Sequence, residues 1–240
     1  MTGRIDVHSH LLPGIDDGCK TVEESLFCAR ELVAAGYTHC FCTPHIWPNL
    51  PKNTVEQIPR LTSELQRALD EAQIPLRLIA GGEINLRIDY HLTVEPRQIV
   101  TYGMAGRYVL IDLWAETLPE HFAPAVRWLQ SAGLTVILAH PERMRAVQDG
   151  PRIADYFQKL GLLLQGNLQC FADPLGSRTR VTVERFMRED RYFMLGSDLH
   201  GPGTMPSRLQ GLRNAIEVAG AEKIDQLTIE NPRRLLADVR

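Results

Sequence analysis

No C-x-x-C pair occurs among the five cysteines, Cys19, Cys28, Cys40, Cys42 and Cys170. An odd count without paired spacing argues against a disulfide framework and suits reduced, structural thiols. Arginine is also missing six residues after each of them, where Ser25, Ala34, Ile46, Pro48 and Gly176 stand, so a phosphate loop of the C-x5-R kind is not encoded. Basic runs with interleaved aromatics are absent and the net charge is −3, which argues against a nucleic-acid surface. No apolar stretch reaches the ~18 residues of a membrane span, and Met1 leads into a polar strand without an apolar signal core. A cytoplasmic protein is expected. Histidine is scarce too, 8 in 240 residues, yet "RIDVHSHLLPGIDDG" places His8 and His10 two apart and follows them with Asp16 and Asp17.

With 44% hydrophobic and 23% charged residues, the chain can bury a full core. Short apolar runs alternate with longer amphipathic ones, the pattern of repeated βα units around a parallel sheet. "RIDVH", "YTHCFCT", "LRLIAGGE", "YVLIDL", "LTVILAH", "LLLQGN" and "YFMLGSD" read as strands. "TVEESLFCARELVAAG" reads as a helix with Thr21 and Glu24 at capping-box spacing and Gly36 as its stop. "TVEQIPRLTSELQRALDEA" reads as another, bent early by Pro59, and "PEHFAPAVRWLQSAG", "RVTVERFMRED" and "SRLQGLRNAIEVAG" follow, with a short helical pair at the end. Neither a low-complexity linker nor a repeat interrupts the pattern, so residues 1–240 are expected to form a single domain.

Each predicted strand delivers a ligand-type residue at or just past its C-terminal end. In chain order these are His8 and His10, His45, Glu83, Asp112, His140, Asn167, and the pair Asp198 and His200. In parallel βα architectures that edge is where sites are built, because the loops there converge on one mouth. Singly, each residue has a structural alternative: Asp112 or Asp198 as a helix cap, His140 as a hydrogen-bonded core histidine. Their joint alignment favours a site. Imidazole and carboxylate in this number suit two or three borderline divalent ions, Mn, Fe, Zn or Co, with one Glu able to bridge two of them. Such a cluster lowers the pKa of bound water and clamps phosphate oxygens. Arg143, in "HPER", adds a candidate bidentate grip on a phosphate.

Taken in order, "DVHSHLLPGIDDG", "TPH", "GGE", "AHPER", "GSDLH" and "NPRRLL" span the chain and resemble the PHP (polymerase and histidinol phosphatase) superfamily. The branch they resemble is that of bacterial manganese-dependent protein-tyrosine phosphatases of capsular and exopolysaccharide synthesis. The resemblance implies a distorted, TIM-like barrel of seven βα units with a trinuclear metal site. It further implies a cytoplasmic enzyme that dephosphorylates the tyrosine-rich tail of a membrane-associated autokinase. By motif, His8, His10, Glu83 and Asp198 would hold one ion, Glu83, His140 and Asp112 a second, and Asp17, His45 and His200 a third. Asp112 departs from the Glu that relatives carry, being one methylene shorter. Arg208 lies in a variable segment and is read as a solvated arginine at a helix start, with a second phosphate grip as the alternative.

The expected chemistry is in-line attack on phosphorus by a metal-bridging hydroxide, with Arg143 holding non-bridging oxygens. His45 and His200 double as candidate catalytic residues, and the proton donor is either an active-site histidine or a metal-bound water, a choice the sequence leaves open. Two other functions compete: a small-molecule phosphatase such as histidinol-phosphate phosphatase, favoured by a deep, narrow basic pocket, and a non-catalytic metal-binding regulator. Trp47 in "WPNLPKN" is a candidate for the substrate rim, and Gly81 and Gly82 are expected to let the backbone pass close to the metals. His39, His91 and His121 stand outside the motifs.

Overall fold

The structure, a computed structural model, describes residues 3–113, 115–150 and 152–237. Its strands are β1 (Arg4–Ser9), β2 (Tyr37–Cys42), β3 (His45–Ile46), β4 (Arg77–Ala80), β5 (Glu83–Asn85), β6 (Tyr108–Asp112), β7 (Thr135–Ala139), β8 (Leu163–Asn167) and β9 (Met194–Gly196). All their pairings are parallel, in the orders β1-β2-β4 and β3-β5-β6-β7-β8-β9. Because β3 resumes β2 after Thr43 and Pro44, and β5 resumes β4 after Gly81 and Gly82, the two sheets are parts of one curled surface with seven chain passages. The parallel α/β architecture expected from the alternating pattern, and the TIM-like curl that the family resemblance implies, are therefore what forms. The sequence puts His45 just past the second strand and Glu83 at the end of the third, but neither lies in a strand-end loop. They open the resumed segments and pair with each other across β3 and β5.

The curl closes between its first and last passages. Ser9 bridges to Leu199 in parallel, the Asp198 amide donates to the His8 carbonyl at 2.8 Å, and the His10 amide donates to the Leu199 carbonyl at 2.8 Å. One step below, the buried Asp6 carboxylate accepts from both the amide and the hydroxyl of Ser197. Burial raises the pKa of Asp6, and these donors oppose it.

Alternation within the strands separates two apolar layers. Phe41, Leu110 and Ile137 join Ile5, Val7, Ile79, Ala139 and Met194 in an inner cluster. Their neighbours Cys40, Cys42, Val109, Ile111, Val136 and Leu138 pack outward with the helices. Tyr102 lies in the inner cluster, edge-on to Phe41 at 5.0 Å, and its hydroxyl donates to the Val7 carbonyl. Truncating a ring so placed, as in Phe41→Ala, costs about 3–5 kcal/mol.

Thr21 caps the helix Val22–Ala34 by accepting from the Glu24 amide, but the Glu24 carboxylate takes the Lys20 amide, so only half of the capping box forms. Gly36, at φ 87°, ends that unit in the left-handed region that glycine tolerates. The next helix runs Gln57–Glu71. Pro59 sits in its first turn, where its missing amide has no partner to lose, and no helix precedes it to be bent. Helices Phe122–Ser131, Arg178–Arg188 and Met205–Ala219 occupy the three later predicted segments. Two short helices, Arg145–Asp149 and Ile153–Lys159, follow β7 where the sequence pattern shows none, since neither is long enough to display a period.

Candidate metal centre

The C-terminal edge of the sheet brings together His8, His10, Asp17, His45, Glu83, His140, Asp198 and His200. Their ligand atoms converge in three overlapping groups: His10, Asp17, His45 and His200; His8, His10 and Asp198; His8, Glu83 and His140. His8 Nε2 lies 3.4 Å from His10 Nε2, 3.4 Å from Glu83 Oε2 and 3.5 Å from Asp198 Oδ1. His10 Nε2 is 3.5 Å from the same two oxygens. A cation holding four ligands tetrahedrally at about 2.1 Å would separate them by about 3.4 Å. Each of these separations matches two ligands of one cation, and His8, His10 and Asp198 form one such group.

The fixed tautomers agree with that reading. His8 Nδ1 donates to Gln165 Oε1 at 2.8 Å, and the Gln165 amide nitrogen in turn donates to the Gly166 carbonyl. His10 Nδ1 donates to Asp16 Oδ2 at 2.8 Å, and His200 Nδ1 donates to the Asp198 carbonyl at 2.9 Å. With Nδ1 carrying the proton, each neutral ring offers its Nε2 lone pair. Glu83 Oε2 is buried with three histidine nitrogens 2.8–3.5 Å away and accepts no aligned hydrogen bond from any of them. His45 Nδ1 is likewise buried without one.

The cluster also draws in positive charge. Burial favours neutral His140, but Glu83 and Asp112 outweigh it and push its pKa up to about 9. Burial is outweighed in the same way at His10, where Asp16 and Asp198 hold the ring well above the usual histidine range. Glu83 and Asp198, against the burial that disfavours their charge, lie below the usual carboxylate range because of His8 and its neighbours. His200 is lowered, first by burial and then by His10. Divalent cations would satisfy these acids and free the imidazoles to act as neutral ligands.

Two residues of the site, His140 at φ 32° and Asp198 at φ 51°, occupy the left-handed backbone region without being glycine. Such strain persists where surrounding contacts impose it, and it concentrates at functional sites. Arg208 provides one such contact. It is buried, not solvated, and its Nε and a terminal nitrogen donate to the Asp198 carbonyl at 3.3 and 2.7 Å. Arg143 donates to Asp198 Oδ2 at 2.9 Å, with 44% of its side chain exposed at the mouth. Asn167 donates to the same oxygen at 2.7 Å.

Asp112 stands apart from the convergent groups. Its Oδ1 faces His140 Nδ1 at 3.9 Å, whereas His140 turns Nε2 toward Glu83 at 3.0 Å. Oδ2 of Asp112 is buried without a partner, and burial followed by Glu83 raises this carboxyl to about 6. Trp47 stacks on His45 with ring centroids 4.0 Å apart, which gives it a place at the site. The glycines before Glu83 serve packing rather than a close approach to the ligands. A Cβ on Gly82 would fall 2.7 Å from Val100 and 2.9 Å from Ile46. His39, His91 and His121 belong to none of the ligand groups found among the described residues.

The family model for capsular polysaccharide synthesis, CpsB/CapC, matches residues 4–237. The chain belongs to the CpsB/CapC family. Among similar proteins, the tyrosine-protein phosphatase YwqE of Bacillus subtilis is 25% identical over 232 residues, covering 97% of this chain and 91% of the relative. The tyrosine-protein phosphatase CpsB of Streptococcus pneumoniae is 25% identical over 240 residues, covering 98% of each. The solved structures of YwqE from B. subtilis and CpsB from S. pneumoniae, described as unique metal-dependent tyrosine phosphatases, provide a match with TM-score 0.88 at 26% identity. That match covers 98% of this chain and 95% of the other. For this CpsB/CapC member the likeness extends over the whole strand-end edge that carries the cluster.

The sequence pattern marks Asp16 as a ligand-type side chain but not as the partner that fixes the His10 tautomer, and it does not mark Gln165, which fixes His8, or Glu142. Buried Glu142 accepts the Asn167 amide and the Tyr192 hydroxyl. A lone Gln inside the apolar run "LLLQGN" is an available signal for Gln165, since such a side chain is buried only when bonded.

Proposed function

We infer that this chain is a metal-dependent phosphatase that hydrolyses phosphotyrosine on proteins. The observation that carries the reading is the set of three histidines whose Nδ1 protons are tied back, leaving Nε2 of His8 and His10 to face Glu83 and Asp198 beside Arg143 and Nε2 of His200 to face Asp17. The relatives, matched over nearly their full length, are tyrosine-protein phosphatases. His8, His10, Glu83 and Asp198 would hold one ion, His45, Asp17 and His200 a second, and Glu83 and His140, with Asp112 at longer reach, a third. Manganese is the proposed metal. When bound, the ions supply a hydroxide near neutral pH and neutralise charge on the phosphoryl oxygens.

The protein's own contribution is positioning. Asp198 anchors one terminal nitrogen of Arg143, and the rest of the guanidinium faces the mouth to grip phosphate oxygens. His200, with its proton on Nδ1 committed to a carbonyl, acts as a ligand and not as a proton donor. A tyrosyl leaving group, with a pKa of about 10, needs less protonation than an alkoxide. Arg143 and Asp17, with side chains 44% and 61% exposed, set the phosphate grip and one ligand at the surface, where a protein tail can reach them. The proposed physiological substrate is the tyrosine-rich tail of a membrane-associated autokinase, met in the cytoplasm.

The test is phosphate release from a phosphotyrosyl peptide and from histidinol phosphate, side by side, with Mn²⁺ or after chelation. Metal-dependent turnover that prefers the peptide is expected. Preference for histidinol phosphate would move the assignment to a small-molecule phosphatase.

A further inference from the structure

A cavity of about 380 Å³ opens beside the cluster. Its polar end is formed by Asp112, His140 and Arg143, and its walls by Leu113, Ala115 and Met144. His140 bonds Glu83 and Arg143 bonds Asp198, so this end of the cavity abuts the ligand cluster itself. Leu113 and Met144 are buried and Ala115 is half-buried, so the lining beside the charged residues is apolar.

We propose that this cavity is the subsite for the phenyl ring of the phosphorylated tyrosine, a role that rests on the phosphatase reading. A phosphate held by Arg143 and the cluster would place the group that carries it against Leu113, Ala115 and Met144. The carrier that suits such a surface is an aromatic ring. Serine and threonine phosphates, joined to the main chain by a single carbon, would instead bring the peptide backbone against this apolar surface, where its polar groups find no partner. Met144 suits the ring further, since its thioether is polarizable and packs well against aromatic edges. At the rim stand Glu116 and Arg145, charges of opposite sign that would meet the residues flanking the tyrosine. The apolar lining thus favours phosphotyrosine, and the cluster and Arg143 treat every phosphate alike.

Steady-state kinetics of the full chain with Mn²⁺ test this, using one peptide sequence phosphorylated on tyrosine or on serine and inorganic phosphate as competitive inhibitor. Met144→Ala is expected to raise KM for the phosphotyrosyl peptide about tenfold, with the inhibition constant of inorganic phosphate held within about twofold. Ala115→Phe, which fills the slot from a partly exposed position, should do the same and guards against a folding defect in the first variant. An unchanged KM in both variants would overturn the subsite, as would a parallel loss of phosphate binding or equal use of the two peptides by the wild type. Failure of the wild type to hydrolyse either peptide would instead overturn the phosphatase reading, and the two failures are thereby distinct.

Discussion

His10 presents Nε2 to the cluster because Asp16 holds its Nδ1 at 2.8 Å. The same carboxylate accepts the Gly18 amide on Oδ1 and the His45 amide on Oδ2. One buried acid thereby sets the tautomer of one ligand and the backbone position of another. Gly18 completes the contact, since a Cβ there would meet the His10 carbonyl at 2.1 Å. Asparagine at position 16 supplies one oxygen where two are used and points amide hydrogens at donors. Asp16→Asn should therefore weaken Mn²⁺ binding about 10–100-fold, measured by competition with a chromogenic chelator. Unchanged affinity would remove Asp16 from the positioning role.

The same pair predicts an acid dependence. Burial works against the Asp16 charge, but the His10 ring and the Gly18 and His45 amides outweigh it and hold the pKa down at about 2. A carboxyl whose folded pKa is depressed gives stability that is complete above its unfolded value and is lost as pH falls through the folded one. In chelator-stripped protein, Asp16→Asn should be less stable than wild type by about 2 kcal/mol at pH 5. The difference should fade as the pH falls from about 4 toward 2. Denaturant melts across that range check it, and a gap that stays constant to pH 2 would contradict it.

The sequence made the ligand edge legible because ligands are rare side chains at a repeated place, the end of each strand in a βα pattern. His8, His45, Glu83 and His140 each have a structural alternative when taken singly, but their shared place at the strand ends marks them together, and the structure brings them within reach of one another. Contacts that depend on three-dimensional closure were not legible. Nothing local in "MPSRLQG" distinguishes a buried Arg208 from a solvated one, because its partner is a main-chain carbonyl ten residues earlier. The breaks that create β3 and β5 escaped for a similar reason. Periodicity registers a strand's side-chain alternation and not the point at which its hydrogen-bonding partner changes.

Asp112 lies outside the convergent groups, with Oδ1 3.9 Å from His140 Nδ1. A carboxylate one methylene longer would extend toward the His140 and Glu83 pair and supply the missing donor. Asp112→Glu is expected to retain one more Mn²⁺ per chain than wild type after gel filtration, counted by elemental analysis. Equal stoichiometry would show that Asp112 already serves as a full ligand.

Arg208 holds the Asp198 carbonyl with two nitrogens while Asp198 keeps a left-handed backbone at φ 51°. Lysine carries the charge but cannot make the paired contact. Arg208→Lys should therefore lower kcat about tenfold, leaving the inhibition constant of inorganic phosphate near its wild-type value. If phosphate binding weakened in proportion, Arg208 would be gripping substrate and not the backbone.

All five cysteines are free and buried, and the thiols of Cys40, Cys42 and Cys170 are pushed up by burial. Neither exposure nor thiolate character makes any of these three a nucleophile. Cys19 and Cys28 lie with their sulfurs 4.0 Å apart beneath the loop that carries Asp16 and Asp17. Their burial shields them from reagents in the folded state. Native-state treatment with iodoacetamide should thus leave Mn²⁺-dependent turnover intact and modify no thiol stoichiometrically by mass spectrometry, whereas chelation should abolish turnover. Inactivation that tracked alkylation of one cysteine would replace the metal route with a thiol route, despite the absence of an arginine six residues beyond any of them.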